Sequence, residues 1–413
     1  MKSMQVTIDT VVKEPNPTWA NTIQKLDEES AKLDFATNAI SHINNVRNVE
    51  DVRVAFEAIL PKLSNFSTDL SQNKDLYKLF QNLKASKEFD SYCDAQKTII
   101  NHAIRDFKAS GIDLDDAKKA RLKEINARAS ELSNNFAKNV IDSTQAWTFY
   151  VTEETKDKLK GLPEHTIILA AEKAKKDGKN GWVLTLDAPC YEAVMSYAED
   201  RDLRAAFYKA KVTVASNEAD AKQFDNSAII DDVMKLSHEK ARILGYKNYA
   251  EYSLIPKMAG STEEVMQFLN DLARRSKPQG ERELTKLKDF AKEHDGIADF
   301  SPWDTVYYAT LYKKTHFDFS EEDLRPYFPE EKVFKGLFAL ARRIFGLKVE
   351  EVACGNYCSL STKFFEVRDK DGNLRGKFYA DLFARDFKNS GAWVSGLRSR
   401  MKKADGSIQT PVG

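Results

Sequence analysis

The feature that most constrains this chain is a helical repeat of apolar residues near its start. Trp19, Ile23, Leu26, Ser30, Leu33, Thr37 and Ile40 follow one another at alternating spacings of four and three, which lines them along one face of a helix. Such a face must be covered by another element. The sequence supplies covers of the same kind, with Val52, Phe56, Ile59 and Leu63 as a second stripe and Leu76, Phe80 and Leu83 as a third. The expected architecture is helix packed on helix. Asn16 is read as the cap of the first helix and Pro17 as its first residue, where a missing N–H is harmless.

The same rhythm continues downstream. Asp113 is the expected cap of a long helix carrying Leu122, Ile125, Ala129, Leu132, Phe136 and Val140. Aromatic and β-branched residues at 147–151 and 182–186, separated by a lysine- and glycine-rich turn, predict two short strands. Helices are expected over 191–214 and over 226–244, the second stopped by Gly245. Ser261 with Glu264 three residues on has the capping-box spacing. That helix is expected to end near Arg275, before Pro278, and another to run over 281–294. Two apolar runs, 364–368 and 377–382, flank Asp371-Gly372-Asn373 and predict a C-terminal β-hairpin. The fold class is therefore mostly α with a few short strands. Along the chain it divides into a helical domain 1–150, strands with connecting helices 151–225, and a final segment 226–413.

Sixty-three basic and 63 acidic residues balance, so no net field favours nucleic acid or anionic lipid, and neither is an expected partner. Four scattered cysteines, Cys93, Cys190, Cys354 and Cys358, suit a reducing compartment. The first residues lack both a secretory apolar core and a transit pattern, and no stretch approaches the ~18 apolar residues of a membrane span. The expectation is a soluble, cytoplasmic protein.

Six histidines are present, none paired at the spacing of a metal clip. His238-Glu239-Lys240-Ala241-Arg242 comes nearest, but a zincin helix needs a second imidazole where Arg242 stands, and a guanidinium has no lone pair to give. His238 is read as an ordinary residue of its helix. Cys354 and Cys358 have a spacing compatible with zinc but no second pair nearby. No nucleophile elbow, phosphate loop or dinucleotide fingerprint occurs. The basic doublets Arg274-Arg275, Arg342-Arg343 and Lys402-Lys403 are read as solvated helix faces or ends. Trp303, Tyr307, Tyr308, Tyr312 and Phe317 form an aromatic set that suits core packing, or, with its hydroxyls beside a groove, recognition of peptide backbone.

Several separated stretches together resemble one family. Tyr197-Ala198-Glu199-Asp200-Arg201, the run from Leu244 to Leu254 with Lys257-Met258-Ala259, Trp303-Asp304 with Tyr307-Tyr308, Gly336-Leu337-Phe338 with Arg343-Ile344-Phe345-Gly346, the run Phe378 to Arg385, Gly391-Ala392-Trp393 and Lys403 to Ser407 are similar to the thimet-oligopeptidase family of zinc metallopeptidases, its bacterial oligopeptidase A branch in particular. Their order is kept across nearly the whole chain.

The resemblance implies a two-lobed helical body with a channel between the lobes, which admits short peptides and excludes folded proteins. It implies zinc held by an H-E-x-x-H helix and a later glutamate, with metal-assisted hydrolysis of the peptide bond. Those residues of the family fall beyond the segment matching Lys403 to Val412, so no catalytic and no metal-binding residue is placed on this sequence. The segment 226–413 then corresponds to the first portion of a peptidase domain, and the chain is expected to be truncated and inactive alone. A non-catalytic peptide-binding remnant, or a half completed by a separate C-terminal chain, is the alternative. Trp303, Tyr307, Tyr308, Arg385 and Trp393 are the candidate groove or support residues by resemblance. Truncation further predicts an open strand edge, a large apolar patch, and poor order at the C-terminal end relative to the first 150 residues.

Overall fold

The computed structural model describes residues 1–353 and 362–413, so Cys354 and Cys358 lie outside the described residues. Helix dominates, and the strands form small separate sheets. The chain divides into two compact units, each assembled from discontinuous stretches. One comprises Met1–Asn134, Asp232–Gly260 and Gly336–Gly413, the other Asn135–Asp231 and Ser261–Lys335.

In the first unit a short helix, Lys2–Val11, precedes the striped one and buries Met4, Ile8 and Val11. The striped helix begins as one π-type turn, Trp19–Ile23, and continues as Gln24–Val46. Its cap is Thr18, one residue past the expected proline. The Thr18 hydroxyl accepts from the Asn21 N–H at 3.2 Å, while the Asn21 side chain accepts from the Thr18 N–H at 2.7 Å. That reciprocal pair satisfies two N–H groups, which Asn16 could not do from two residues upstream. Helices Glu50–Ser71, Lys74–Ala85 and Asp94–Ala109 follow. Leu76, Phe80 and Leu83 join Ile8, Ile23, Ile100 and Phe107 in one core.

The next helix, Asp116–Ala146, starts later than expected. Asp115 rather than Asp113 accepts at its N-terminus, from the Lys118 N–H at 2.9 Å. Near the end of the chain, strands Lys348–Val352, Lys363–Arg368 and Leu374–Ala380 form an antiparallel sheet in that order. The last two are the expected hairpin, with its register shifted by an irregularity at Val367/Arg368. The first was not legible, because Lys348, Glu350 and Glu351 dilute its apolar alternation. Charged side chains are common on an edge strand, where they discourage further pairing. The outer edge of Leu374–Ala380 is engaged by the last residues, the Lys377 N–H donating to the Pro411 carbonyl at 3.0 Å and the Tyr379 N–H to the Gly413 carbonyl at 2.9 Å.

In the second unit the two expected short strands are present as Thr148–Val151 and Trp182–Thr185, and the structure pairs them antiparallel. They pack with helices Glu164–Lys176, Ala188–Tyr197 and Arg201–Val212 around Leu184, Val194, Leu203 and Phe207. The expected single helix over 191–214 is thus two. Its break at 198–200 is tertiary: Ala198 is fully buried, the Glu199 N–H donates to the Lys160 carbonyl at 3.0 Å, and Asp200 turns to cap the second helix.

The opposite correction applies at Pro278. The two helices expected around it are one, Thr262–Asp295, capped by Ser261 and closed by Gly296 in a left-handed conformation. Proline removes a single ladder bond, and the long flanking stretches hold the remainder. The helix Ser227–Ile243 stops at Gly245, whose φ of +90° favours glycine.

Candidate functional site

Three of the five sequence candidates meet in the second unit, around a carboxylate that sequence reasoning did not single out. Asp200 caps the helix Arg201–Val212 by accepting from the Leu203 N–H at 2.7 Å. This cap fixes the first turn, from which Arg201 and Arg204 project three residues apart and therefore to the same side. Asp304 ends the short turn Pro302–Asp304 that opens the helix Thr305–Phe317. Its own carboxylate accepts from the Ser301 N–H at 2.9 Å, so the backbone aims it.

The two arginines converge on that carboxylate. Arg201 reaches one oxygen at 2.8 Å and Arg204 the other at 3.1 Å. Arg201 also donates to the Asp299 carboxylate at 3.0 Å, and Arg204 to the carbonyls of Ala198 at 2.7 Å and Glu199 at 3.1 Å. The side chains of Asp304 and Arg204 are 0% and 1% exposed. Two cations face two carboxylates, so the cluster is neutral, and such density of charge-assisted bonds is what a buried ion pair requires. Burial by itself pushes the Asp304 carboxyl upward. The bonds from Arg201, the Ser301 N–H and Arg204 overcome it and hold the group below the usual carboxylate range.

The aromatic residues are fastened to this cluster. The Arg204 guanidinium lies 4.0 Å from the Tyr307 ring centroid, a cation–π contact in a desolvated place. Tyr307 meets Tyr308 edge-on at 5.1 Å, and the Tyr308 hydroxyl donates to Asp295 at 2.9 Å. Burial and that bond to a carboxylate raise the Tyr308 phenol well above its ordinary value. Trp303 packs at 6.1 Å against Tyr208. Phe317, grouped with these by spacing, is 71% exposed at the helix end. Tyr312 instead stacks on His316 at 3.8 Å.

Arg385 and Trp393 belong to the first unit. Arg385 pairs with Asp381 at 2.7 Å and donates to the Val46 carbonyl at 2.9 Å. It thereby ties the segment 381–389 to the end of the striped helix, a tie reinforced by the Asn48 N–H on the Phe387 carbonyl at 2.7 Å. Lys388 joins the same carboxylate at 3.1 Å and lies 5.9 Å from the ring centroid of Trp393, which is 38% exposed. Both residues are thus placed by contacts within their own unit.

Arg201, Arg204, Asp299 and Asp304 were missed as a set because about a hundred residues separate the arginines from their partners. A lone sequence contains no pairing information over that distance. The one local signal was Asp304 directly after Pro302-Trp303, a carboxylate at the start of a helix beside an aromatic.

Comparison with known proteins places this framework. The profile described as Peptidase family M3 matches residues 194–413, which include the whole Arg201, Arg204 and Asp304 cluster. The chain belongs to peptidase family M3. The profile described as Neurolysin/Thimet oligopeptidase, N-terminal domain, matches residues 1–119 of this M3 chain. Curated relatives agree. Oligopeptidase A of Haemophilus influenzae and that of Escherichia coli are each 41% identical over 407 residues, covering 98% of this M3 chain and 60% of each relative. The organellar oligopeptidase A of Arabidopsis thaliana is 32% identical over 427 residues, covering 100% of this chain and 53% of the relative. The chain thus spans about 60% of the length of the bacterial relatives it matches.

The M3 family implies zinc, and the side chains described do not fit it. In the helix that most resembles a zincin, His238 is exposed and the Glu239 carboxylate is gripped by Arg121 at 2.6 and 2.8 Å, which lowers its pKa. Arg242 follows where an imidazole is needed. His165 stands 3.4 Å from the Arg325 guanidinium, an unsuitable neighbour for a metal ligand. His294 Nδ1 lies 2.9 Å from Asp295, whose other oxygen holds Tyr308. Among the described residues no group of three or more His, Cys, Asp or Glu could hold a metal ion. Cys93 and Cys190 are free thiols, and burial, the largest influence, raises Cys190 to about 11, far from a ready thiolate.

Proposed function

We propose that this chain serves the hydrolysis of peptide bonds in short peptides, as the supporting body of a cytoplasmic zinc oligopeptidase. The observation that carries the reading is the 41% identity to two oligopeptidases A over 98% of the chain. On this reading the residues here contribute framework and channel wall. Zinc chemistry is not assigned to them, since among the described residues no histidine stands in a group of three or more possible ligands.

Trp303, Tyr307 and Tyr308 act as supports of the wall rather than as peptide contacts. The Tyr308 hydroxyl is spent on Asp295 and the Tyr307 ring on Arg204. Arg385 has the same supporting task in its own unit, and the more exposed Trp393 is the candidate that a peptide could reach. Placement in the cytoplasm rests on the few scattered cysteines of the sequence; among the described residues no helix is long and apolar enough to cross a membrane.

The reading predicts that residues 1–413 are inactive alone and gain activity only with a polypeptide carrying the ligands. A quenched fluorescent peptide incubated with the pure chain and zinc, with and without chelator, tests this. No chelator-sensitive cleavage is expected. Such cleavage by the pure chain would refute the claim, and saturable peptide binding that no complementing polypeptide converts into cleavage would instead identify a binding remnant.

A further inference from the structure

His42 is half-buried near the end of the striped helix. Its Nδ1 is buried without a hydrogen-bond partner among the described residues, and so is Oδ1 of Asn389, on the segment 381–389 that lies against the same helix end. The tie between them is made by the Asn48 N–H to the Phe387 carbonyl at 2.7 Å, the Asn389 N–H to the Asn45 carbonyl at 2.9 Å, and Arg385 to the Val46 carbonyl at 2.9 Å. The segment is also strained. Phe387 has a φ of +62°, a left-handed conformation that is costly for a bulky side chain. A contact that leaves buried polar atoms unsatisfied and holds one residue strained is closed against resistance.

We propose that the segment 381–389 is an acid-released strap, closed on the striped helix while His42 is neutral and opened when the imidazole takes a proton. The charges around His42 give the sign. Asp381, Lys388 and Arg385 of the strap face it, and that carboxylate already pairs with Arg385 at 2.7 Å and with Lys388 at 3.1 Å. Burial raises Asp381, but the bonds from Arg385 and Lys388 more than reverse it, so the carboxylate stays ionised and engaged while His42 titrates. A proton on His42 therefore adds a third cation around one carboxylate. Other neighbours offer no counter-charge to the ring. Asp386 of the strap is exposed, Arg53 of the helix Glu50–Ser71 is bonded to Asn48 at 2.6 Å, and Asn38, Ala39, Asn45 and Val46, one helical turn to either side, carry no charge. Burial disfavours the imidazolium, Asp381 opposes that, and Lys388 and Arg385 reinforce it, which puts folded His42 below its ordinary value. Closure is thus at full strength above the ordinary histidine value of ~6.5 and is lost as pH falls through the depressed folded value. Strap and helix both belong to the first unit, and the device does not depend on peptidase activity.

Hydrogen exchange of the full chain reads closure at the amides of Asn48 and Asn389, expressed as protection factors so that the intrinsic pH dependence of exchange cancels. Between about pH 7.5 and about pH 5.5, a window around the ordinary histidine value, protection at both should fall several-fold while the helix Lys74–Ala85 of the same unit stays level. His42→Gln takes up no proton and should leave the two amides equally protected at both pH values. A second readout needs no substitution. In the unaltered chain the NMR titration of the His42 imidazole should have a midpoint below ~6.5, and the strap amides should lose protection with that same midpoint. Undiminished protection at about pH 5.5 would overturn the proposal. So would a loss that persists in His42→Gln, a midpoint that differs from the imidazole's, or an equal loss in the helix Lys74–Ala85, which would mark general acid unfolding.

Discussion

The Asp304 cluster and the helix Glu330–Phe345 sit only 26 positions apart in sequence and solve opposite problems. At Asp304 every strong charge finds its partner inside the same unit, and the side chains of Asp304 and Arg204 are fully withdrawn from water. On the helix a row of aliphatic side chains, Val333, Leu337, Leu340 and Ile344, is left facing water. Buried charge demands completion, because an unpaired ion in a low-dielectric place is strongly unfavourable. Exposed aliphatic surface is tolerated at about 25 cal/mol per Å². A polar cluster therefore has to be finished within the body that contains it, whereas an apolar face can wait for a neighbour.

That contrast can be broken experimentally. Its largest expected effect is at Asp304→Ala, which leaves two buried or half-buried guanidiniums without their shared carboxylate and should cost about 3–5 kcal/mol. Urea denaturation would measure it, and a loss under about 1 kcal/mol would mean that the cluster is dispensable. The same site gives a pH dependence with a definite sign. Asp304 has a folded pKa below its ordinary value, so its contribution is present above the usual carboxylate range near ~3.9 and is lost as pH falls through the depressed folded value. Acid titration of stability should therefore show a steeper low-pH loss in the unaltered chain than in Asp304→Asn.

Next in size is Phe365→Ala. This ring is 2% exposed between Phe338 at 5.2 Å and Phe378 at 4.9 Å, and its removal should cost about 3 kcal/mol. Hydrogen exchange would locate the loss in strands Lys363–Arg368 and Leu374–Ala380, and an equal loosening around Asp304 would contradict the independence of the two regions. Pro278→Ala should stabilise the helix Thr262–Asp295 by about 2 kcal/mol, the ladder bond regained less the unfolded-state entropy restored. The smallest effect belongs to Leu340→Asp, expected within about 0.5 kcal/mol because the side chain is already in water. A melt displaced by several degrees would show that the row is covered in the isolated chain.

How much of this was legible depended on distance along the chain. The stripes through Leu76, Phe80 and Leu83, the Ser261 cap, the Gly245 stop and the hairpin at Asp371-Gly372-Asn373 were readable, because each is decided by residues within a few positions of one another. Caps were missed by two residues, Thr18 for Asn16 and Asp115 for Asp113, since neighbouring polar residues compete for one N-terminus. The candidate site was legible by resemblance in its aromatics and in Arg201, but not in the chemistry joining them. Nothing near Arg204 indicates that Asp304, a hundred residues on, will receive its charge.

The sequence by itself determined the helical class, a few helix limits such as the Ser261 cap and the Gly245 stop, the two short strands near 148 and 182, the C-terminal hairpin and the family, all of which reside in local spacing and collinear motifs. Only the tertiary structure decided that Arg201 and Arg204 share Asp304, that the chain breaks at 198–200 but runs straight through Pro278, and that Lys348–Val352 becomes a strand. Each of those outcomes is a balance between a local preference of a few kcal/mol or less and contacts with residues remote in sequence. Such contacts exist only once the chain has folded.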